Sequence, residues 1–269
     1  SPELLVTLLL FMAADAGRRG YGLMLDSFWE EAGRSGIELS QDAPVSAAAF
    51  CKARRKLKPE LLAAFLAMIG RVFGEKHSDK LLWSGRRLFA VDGMRHNLQR
   101  SEELTEHFGV PHGGHCPQML VSTLYDVIGR FPVAATIAPG SSCERQELLR
   151  LIPHLRSGDV IVLDRGYPSF DVLHALREAG VDFVIRVPKS HSFEAIQAFQ
   201  ESPGYDYRLV IPPSADAARA GASPIDLRCV RIDVGKDDPW LLFTSLRRAQ
   251  ATISQMQSLY HLRWEIEEF

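Results

Sequence analysis

Cysteine is scarce in this 269-residue chain. Cys51, Cys116, Cys143 and Cys229 are scattered and form no CxxC pair. That pattern offers no disulfide framework and reads as reduced thiols in a cytosolic protein. A surplus of one charge is also missing. The 31 Lys and Arg against 33 Asp and Glu leave a net charge of -2, so any contact with nucleic acid must come from local patches. Long apolar runs are absent. Leu4 to Ala14 is the strongest, but it is too short to span a bilayer and no basic segment precedes it, so it reads as a buried helix. There are no internal repeats and no low-complexity tracts. The chain has no initiating Met and stops at Phe269 inside a helical pattern without a capping signal, which reads as a fragment or a truncated reading frame. What remains is 46% hydrophobic and 24% charged, the profile of a globular protein with a real core. Its length suits one large domain or two modest ones.

Residues 1–78 read as a helical domain. Pro2 suits a first turn, and Leu4, Leu5, Leu8, Leu9 and Met12 form a stripe. Further helices are expected over Tyr21 to Ala32, Ala47 to Leu57 with Ser46 as N-cap, and Pro59 to Phe73. The third carries Lys52, Arg54, Arg55 and Lys56, with Lys58 just beyond. This is either a solvated basic face or a contact to DNA phosphates.

After a polar linker at Glu75 to Lys80 the pattern changes. Arg87 to Val91 is apolar and ends in Asp92-Gly93; Val160 to Leu163 is apolar and ends in Asp164-Arg165-Gly166-Tyr167. Both read as buried strands followed by turns. A hairpin is expected from Met119 to Val127 and Phe131 to Ile137, and helices from Glu144 to Leu155 and from a Ser169 cap to Ala179. Val181 to Val187 is a further strand. Residues 79–269 therefore read as an α/β domain with a mixed sheet. A β-rich insertion is expected at about 188–238, with strand-like pieces at Tyr207 to Ile211 and Ile225 to Val234, before the strand Trp240 to Thr244. The last helix should begin near Arg248. Along it Ile253, Met256, Leu259, Tyr260, Arg263, Trp264 and Glu267 recur at steps of three and four and share one face.

A charge on an apolar stripe needs a partner, an ion or a substrate. Asp92 and Asp164 stand at strand carboxyl ends, where α/β sheets collect ligands, and Glu267 would supply a third acid. Three carboxylates favour Mg2+ or Mn2+ over zinc, and two such ions can serve phosphodiester cleavage. Each acid alone has a plainer reading: a turn cap for Asp92 or Asp164, a surface residue for Glu267. His112-Gly113-Gly114-His115-Cys116 has zinc-binding residue types but no fourth ligand in reach. His191 beside Lys189 is either DNA-facing or a solvated loop.

Together, Asp92-Gly93, Asp164-Arg165-Gly166-Tyr167 and Tyr260-x-x-Arg263-x-x-x-Glu267 resemble the DDE transposases of bacterial insertion sequences, in particular the type-four group with its Y-R-E-K signature. The resemblance covers about Ser46 to Phe269. It implies an RNase H-like core, with Asp92, Asp164 and Glu267 holding two Mg2+ ions (Mn2+ as substitute). Tyr260 and Arg263 would hold DNA phosphate, the latter through its two-pronged guanidinium. Trp240 matches a family tryptophan on which a flipped base stacks, against the alternative of a core aromatic. Arg165 would pair with a carboxylate or reach DNA. Implied partners are double-stranded DNA with terminal inverted repeats and a second protomer on DNA, with no membrane. The implied setting is the bacterial cytoplasm, at the nucleoid. The signature lysine falls seven residues after Glu267, beyond Phe269. The expected activity is cut-and-paste cleavage and joining at transposon ends. The alternatives are an end-binding inhibitor lacking full activity, or a general RNase H-like nuclease.

Overall fold

The structure, a computed structural model, describes the chain apart from residues 15–19, 77–79, 81, 189–192, 194–195, 198, 200–203, 236–238 and 268–269, and the side chains of Pro59 and Glu265. His191 and Lys189 therefore lie outside the described residues. The chain forms two compact units, Ser1–Ala64 and Phe65–Phe269, with the boundary inside helix α4 (Pro59–Lys76).

The first unit contains α1 (Pro2–Ala14), α2 (Tyr21–Arg34) and α3 (Ala47–Arg54). Their apolar stripes meet at Leu8, Leu25, Phe28, Trp29 and Phe50. Ser46 caps α3 by accepting from the Ala49 amide at 3.2 Å. That helix stops at Arg54, short of the expected Leu57. Its final turn tightens instead, with Lys56 donating to the Ala53 carbonyl and Leu57 to that of Arg54. Pro59 follows closely, and a residue ahead of proline is pushed out of the helical region.

The second unit is built on one eight-stranded sheet, in the order β3-β2-β1-β4-β5-β8-β7-β6. The strands are β1 (Leu88–Asn97), β2 (Gln118–Asp126), β3 (Phe131–Pro139), β4 (Val160–Leu163), β5 (Asp182–Val187), β6 (Asp206–Ile211), β7 (Ile225–Ile232) and β8 (Trp240–Thr244). β1, β2 and β3 form an antiparallel meander, and β4 and β5 run parallel to β1. This is the mixed α/β sheet expected of an RNase H-like core. The strands of the expected β-rich insertion join the same sheet. β7 pairs with β8, which pairs with β5, so β6 and β7 widen the same sheet.

Alternation along the central strands sorts side chains onto two faces. Phe89, Val91, Ile161 and Leu163 point to one face, where α6 (Glu144–Leu151) and α7 (Phe170–Glu178) cover them with Leu148, Leu151, Val172 and Leu173. Leu88, Ala90, Val160 and Val162 point to the other, beneath Met256, Leu259 and Tyr260 of the last helix. Two short helices, α5 (Glu102–Phe108) and α8 (Ala215–Arg219), have no counterpart in the sequence reading. The last helix, α9, spans Ile253–Leu262 and passes into a 3-10 turn over Arg263–Ile266. It starts five residues later than expected because Thr252 and Gln255 form a reciprocal capping box there.

Candidate active site

β1 does not end at Asp92, as the sequence had suggested, but continues to Asn97 alongside β2. What ends is its parallel neighbour. The β1–β4 ladder closes with Ala90 opposite Val162. Two residues beyond that pair come Asp92, still on β1, and Asp164, one residue past the end of β4, so the register sends both toward the same end of the parallel ladder. Parity then fixes the face. Asp92 follows Leu88 and Ala90 onto the side covered by α9.

Asp164 shapes its own turn. Its Oδ1 accepts from the Gly166 amide at 2.7 Å, and a Cβ on Gly166 would stand 3.1 Å from that oxygen. The turn-capping reading is thus realised, and it leaves the other oxygen uncommitted. Burial foremost, with the charges of Asp164 and Glu267 adding to it, raises the Asp92 carboxyl above its usual range, against the opposing pull of the Gly93 amide and Arg263. Arg263 itself is buried in the 3-10 turn and donates to Glu267 Oε1 at 2.6 Å. Tyr260 is buried one turn earlier, with the Arg263 guanidinium 5.7 Å from its ring centre. Glu267 remains half-exposed. The two aspartates and the Arg263–Glu267 pair therefore share one electrostatic neighbourhood, yet among the described residues no three His, Cys, Asp or Glu side chains stand close enough to hold one ion.

Comparison with known proteins gives the family. The model of a family described as the transposase DDE domain matches residues 83–269. The chain belongs to that family. The DDE domain also resembles the solved piggyBac transposase, determined as a synaptic complex with hairpin DNA. The likeness has a TM-score of 0.50 at 12% identity and covers 98% of this chain and 56% of that one. The chain thus spans little more than half the length of that relative, and the likeness is one of fold. The Mos1 transposase, in a paired-end complex with its left transposon end, aligns at a TM-score of 0.26 and 9% identity over 66% of this chain and 57% of its own. No curated protein matches the sequence.

The donor chemistry of the DDE domain fits a hard dication. All three acids offer oxygen ligands, and a cation near Asp92 would offset the unfavourable ionisation that burial and its acidic neighbours impose. Glu267 meets Arg263 through one oxygen, so the other could serve an ion.

The remaining candidates are spread out. Trp240, at the start of β8, packs edge-on against Tyr260 at 5.3 Å and against Trp264 at 6.1 Å, with the Arg186 guanidinium 5.1 Å from its ring centre. Arg165 is exposed, with no ion pair among the described residues. Lys52, Arg54, Arg55 and Lys56 are exposed on the first unit, where Arg54 donates to the Tyr21 hydroxyl at 2.6 Å. His112, Gly113, Gly114 and His115 form an exposed loop.

Two neighbours of the site escaped sequence reasoning. Glu144 lies over Gly93, where a Cβ would meet its Cγ at 2.9 Å, and it accepts from Arg95 at 2.7 Å. Arg145 donates to the Gly166 carbonyl at 2.8 Å. The first turn of α6 thus braces the backbone beside each aspartate. Acids at a helix start are ordinary, so the sequence carried no sign of it.

Proposed function

We propose that the chain is the catalytic core of a DNA transposase that cleaves and joins phosphodiester bonds at transposon ends, in a cut-and-paste reaction. The observation that carries this reading is the register that sends Asp92 of β1 and Asp164, just past β4, toward the same end of their parallel ladder, with the charges of Asp164 and Glu267 acting on Asp92, in a chain of the DDE family. Asp92, Asp164 and Glu267 would hold two Mg2+ ions, or Mn2+ in their place. Such ions, when bound, activate the attacking oxygen and stabilise the leaving one.

The protein's own groups supply position. Asp164 is held by its turn, Asp92 by a strand paired along its length with β2, and Glu267 by its bond to Arg263. Were Glu267 to turn toward an ion, Arg263 would be free to grip a phosphate with two hydrogen bonds, with Tyr260 beside it. Trp240 offers an indole face for an unstacked base, and Arg165 an exposed cation near the strand. On the first unit, read as a DNA-binding domain of residues 1–78, Lys52, Arg54, Arg55 and Lys56 would contact duplex phosphates near the terminal inverted repeats. A homodimer on DNA and a place at the bacterial nucleoid complete the reading. Among the described residues no helix is long and apolar enough to cross a membrane.

The test is Mn2+-dependent strand cleavage of duplex DNA by the wild type and Asp164→Asn, with melting curves to confirm that both fold. Loss of cleavage in the variant is expected. Cleavage at the wild-type rate would remove Asp164 from the chemistry and the reading with it.

A further inference from the structure

The β4–β5 ladder closes with Leu163 opposite Ile185, and the next residues along the two chains are Asp164 and Arg186. Arg186 is still within β5, one residue from its end. Three neighbouring parallel strands thus direct Asp92, Asp164 and Arg186 toward one end of the sheet. Parity adds the face. Arg186 follows Val184, which packs with Met256, Leu259 and Tyr260 beneath α9, the side that Asp92 also takes. Other arginines of the sheet are neutralised. Arg86 and Arg87, just ahead of β1, meet Asp182 and Asp159, and Arg228 meets Asp206. Arg263, above the sheet, meets Glu267. Arg186 is half-buried and, among the described residues, has neither an ion pair nor a hydrogen bond. Its neighbour is Trp240, whose ring centre lies 5.1 Å from the guanidinium carbon. An aromatic face steadies a guanidinium while leaving the N–H donors around its rim unspent. A steadied cation with unspent donors, at the strand ends where α/β sheets collect ligands, is a receptor for an anion.

We propose that Arg186 is a DNA-contacting residue of the active site, its guanidinium taking a phosphate oxygen of the strand that lies across the carboxyl end of the parallel ladder. The inference rests on the transposase reading above and extends it to a further cation. It also gives Trp240 a second task, as the seat that holds Arg186 in place.

The test is DNA binding by the full chain without a divalent ion, so that cleavage plays no part. Fluorescence anisotropy on a labelled nicked duplex, repeated over a range of salt concentrations, gives both affinity and salt dependence. Arg186→Gln should weaken binding roughly tenfold, the worth of one charge-assisted hydrogen bond. It should also flatten the slope of log affinity against log salt by about 0.9, the mark of one lost phosphate contact. Arg186→Lys keeps the charge without the two-pronged fork, so it should keep the slope and recover only part of the affinity. If the glutamine variant does not fold, Arg186→Met, which retains an apolar stem over the indole, takes its place. A merely structural contact with Trp240 would lower the melting temperature and leave the salt slope where it was. Unchanged affinity and slope therefore overturn the proposal, whatever happens to the melting temperature. Tighter Mn2+ binding with unchanged DNA affinity would overturn it too, by making Arg186 a counter-ion to the acids. A wild-type chain that binds no DNA sinks the transposase reading and this inference together. Wild-type binding that Arg186→Gln leaves untouched sinks this inference alone.

Discussion

Replacing Arg228 with methionine tests how the widened sheet holds α9. The Arg228 side chain is only 10% exposed. Its guanidinium grips Asp206 through two bonds of 2.8 Å and donates to the Ala251 carbonyl at 2.7 Å. Ala251 lies directly before the Thr252 cap of α9, so this one side chain ties β7 and β6 to the start of the helix that carries Tyr260. Breaking a buried pair from one side costs about 3–5 kcal/mol in general. Asp206 keeps a second partner in Arg248 at 2.9 Å, which trims that figure, while the Ala251 carbonyl loses a charged donor worth about 1.5–3 kcal/mol. A net loss of about 3 kcal/mol follows. At about 2–4 °C per kcal/mol for a domain of this size, the melting temperature should drop by about 6–12 °C.

The same variant has a pH signature. Burial pushes the Asp206 carboxyl up, but hydrogen bonds and charges from Arg228 and Arg248 more than offset it and hold the carboxyl below its usual range. Its contribution to stability is therefore complete above the unfolded value of about 3.9 and is lost as pH falls through the lower folded value. The gap between wild type and Arg228→Met, followed by circular dichroism melts, should be widest near neutrality and close below about pH 4. A drop of less than about 2 °C at neutral pH would refute the reasoning, since it would leave the buried network worth under 1 kcal/mol.

Asp92→Asn should raise the melting temperature at neutral pH, because the fold holds that carboxyl above its usual range, mainly by burial, and a neutral amide escapes the resulting penalty. The gain should shrink as pH falls through the raised folded value and disappear below about 3.9, and a loss of stability at neutral pH would contradict it. Gly93→Ala would place a Cβ 2.9 Å from Glu144 Cγ and 3.2 Å from Leu120 Cδ1, costing about 1–3 kcal/mol. Gly74→Ala on α4 meets nothing within 4 Å and should stabilise by about 0.5–1 kcal/mol, so urea melts that rank the two alike would defeat the crowding argument.

Strands buried on both faces were legible because their apolar runs are continuous: Phe89 to Val91 and Val160 to Leu163 could hardly be anything else. The sequence reading stopped β1 at the first acid because Met94 to Asn97 is exposed and only its backbone pairing with β2 marks it as strand. The end of α9 misled for a different reason. A face drawn with 3.6 residues per turn no longer holds once Arg263 begins a 3-10 turn, which turns Trp264 outward and Ile266 inward. Motif spacing picked out the two aspartates, and the β1–β4 register sends both toward the same end of that ladder. Glu144 and Arg145 were illegible because their contacts lie across the fold, to Gly93, Arg95 and Gly166, and nothing local marks them.

The turn closed by Asp164 sets a limit on denticity. One of its carboxylate oxygens is spent on the Gly166 amide, two residues ahead in the same loop. A carboxylate oxygen has two lone pairs, so a cation that chelated both oxygens would share one of them with that amide and draw on the turn from which Tyr167 enters the core. If Asp164 holds an ion, its other oxygen is the one offered without that competition. An ion content with one oxygen from each carboxylate, such as Mg2+, would leave the turn undisturbed, whereas a two-oxygen clasp of the kind Ca2+ uses would weaken its closing bond.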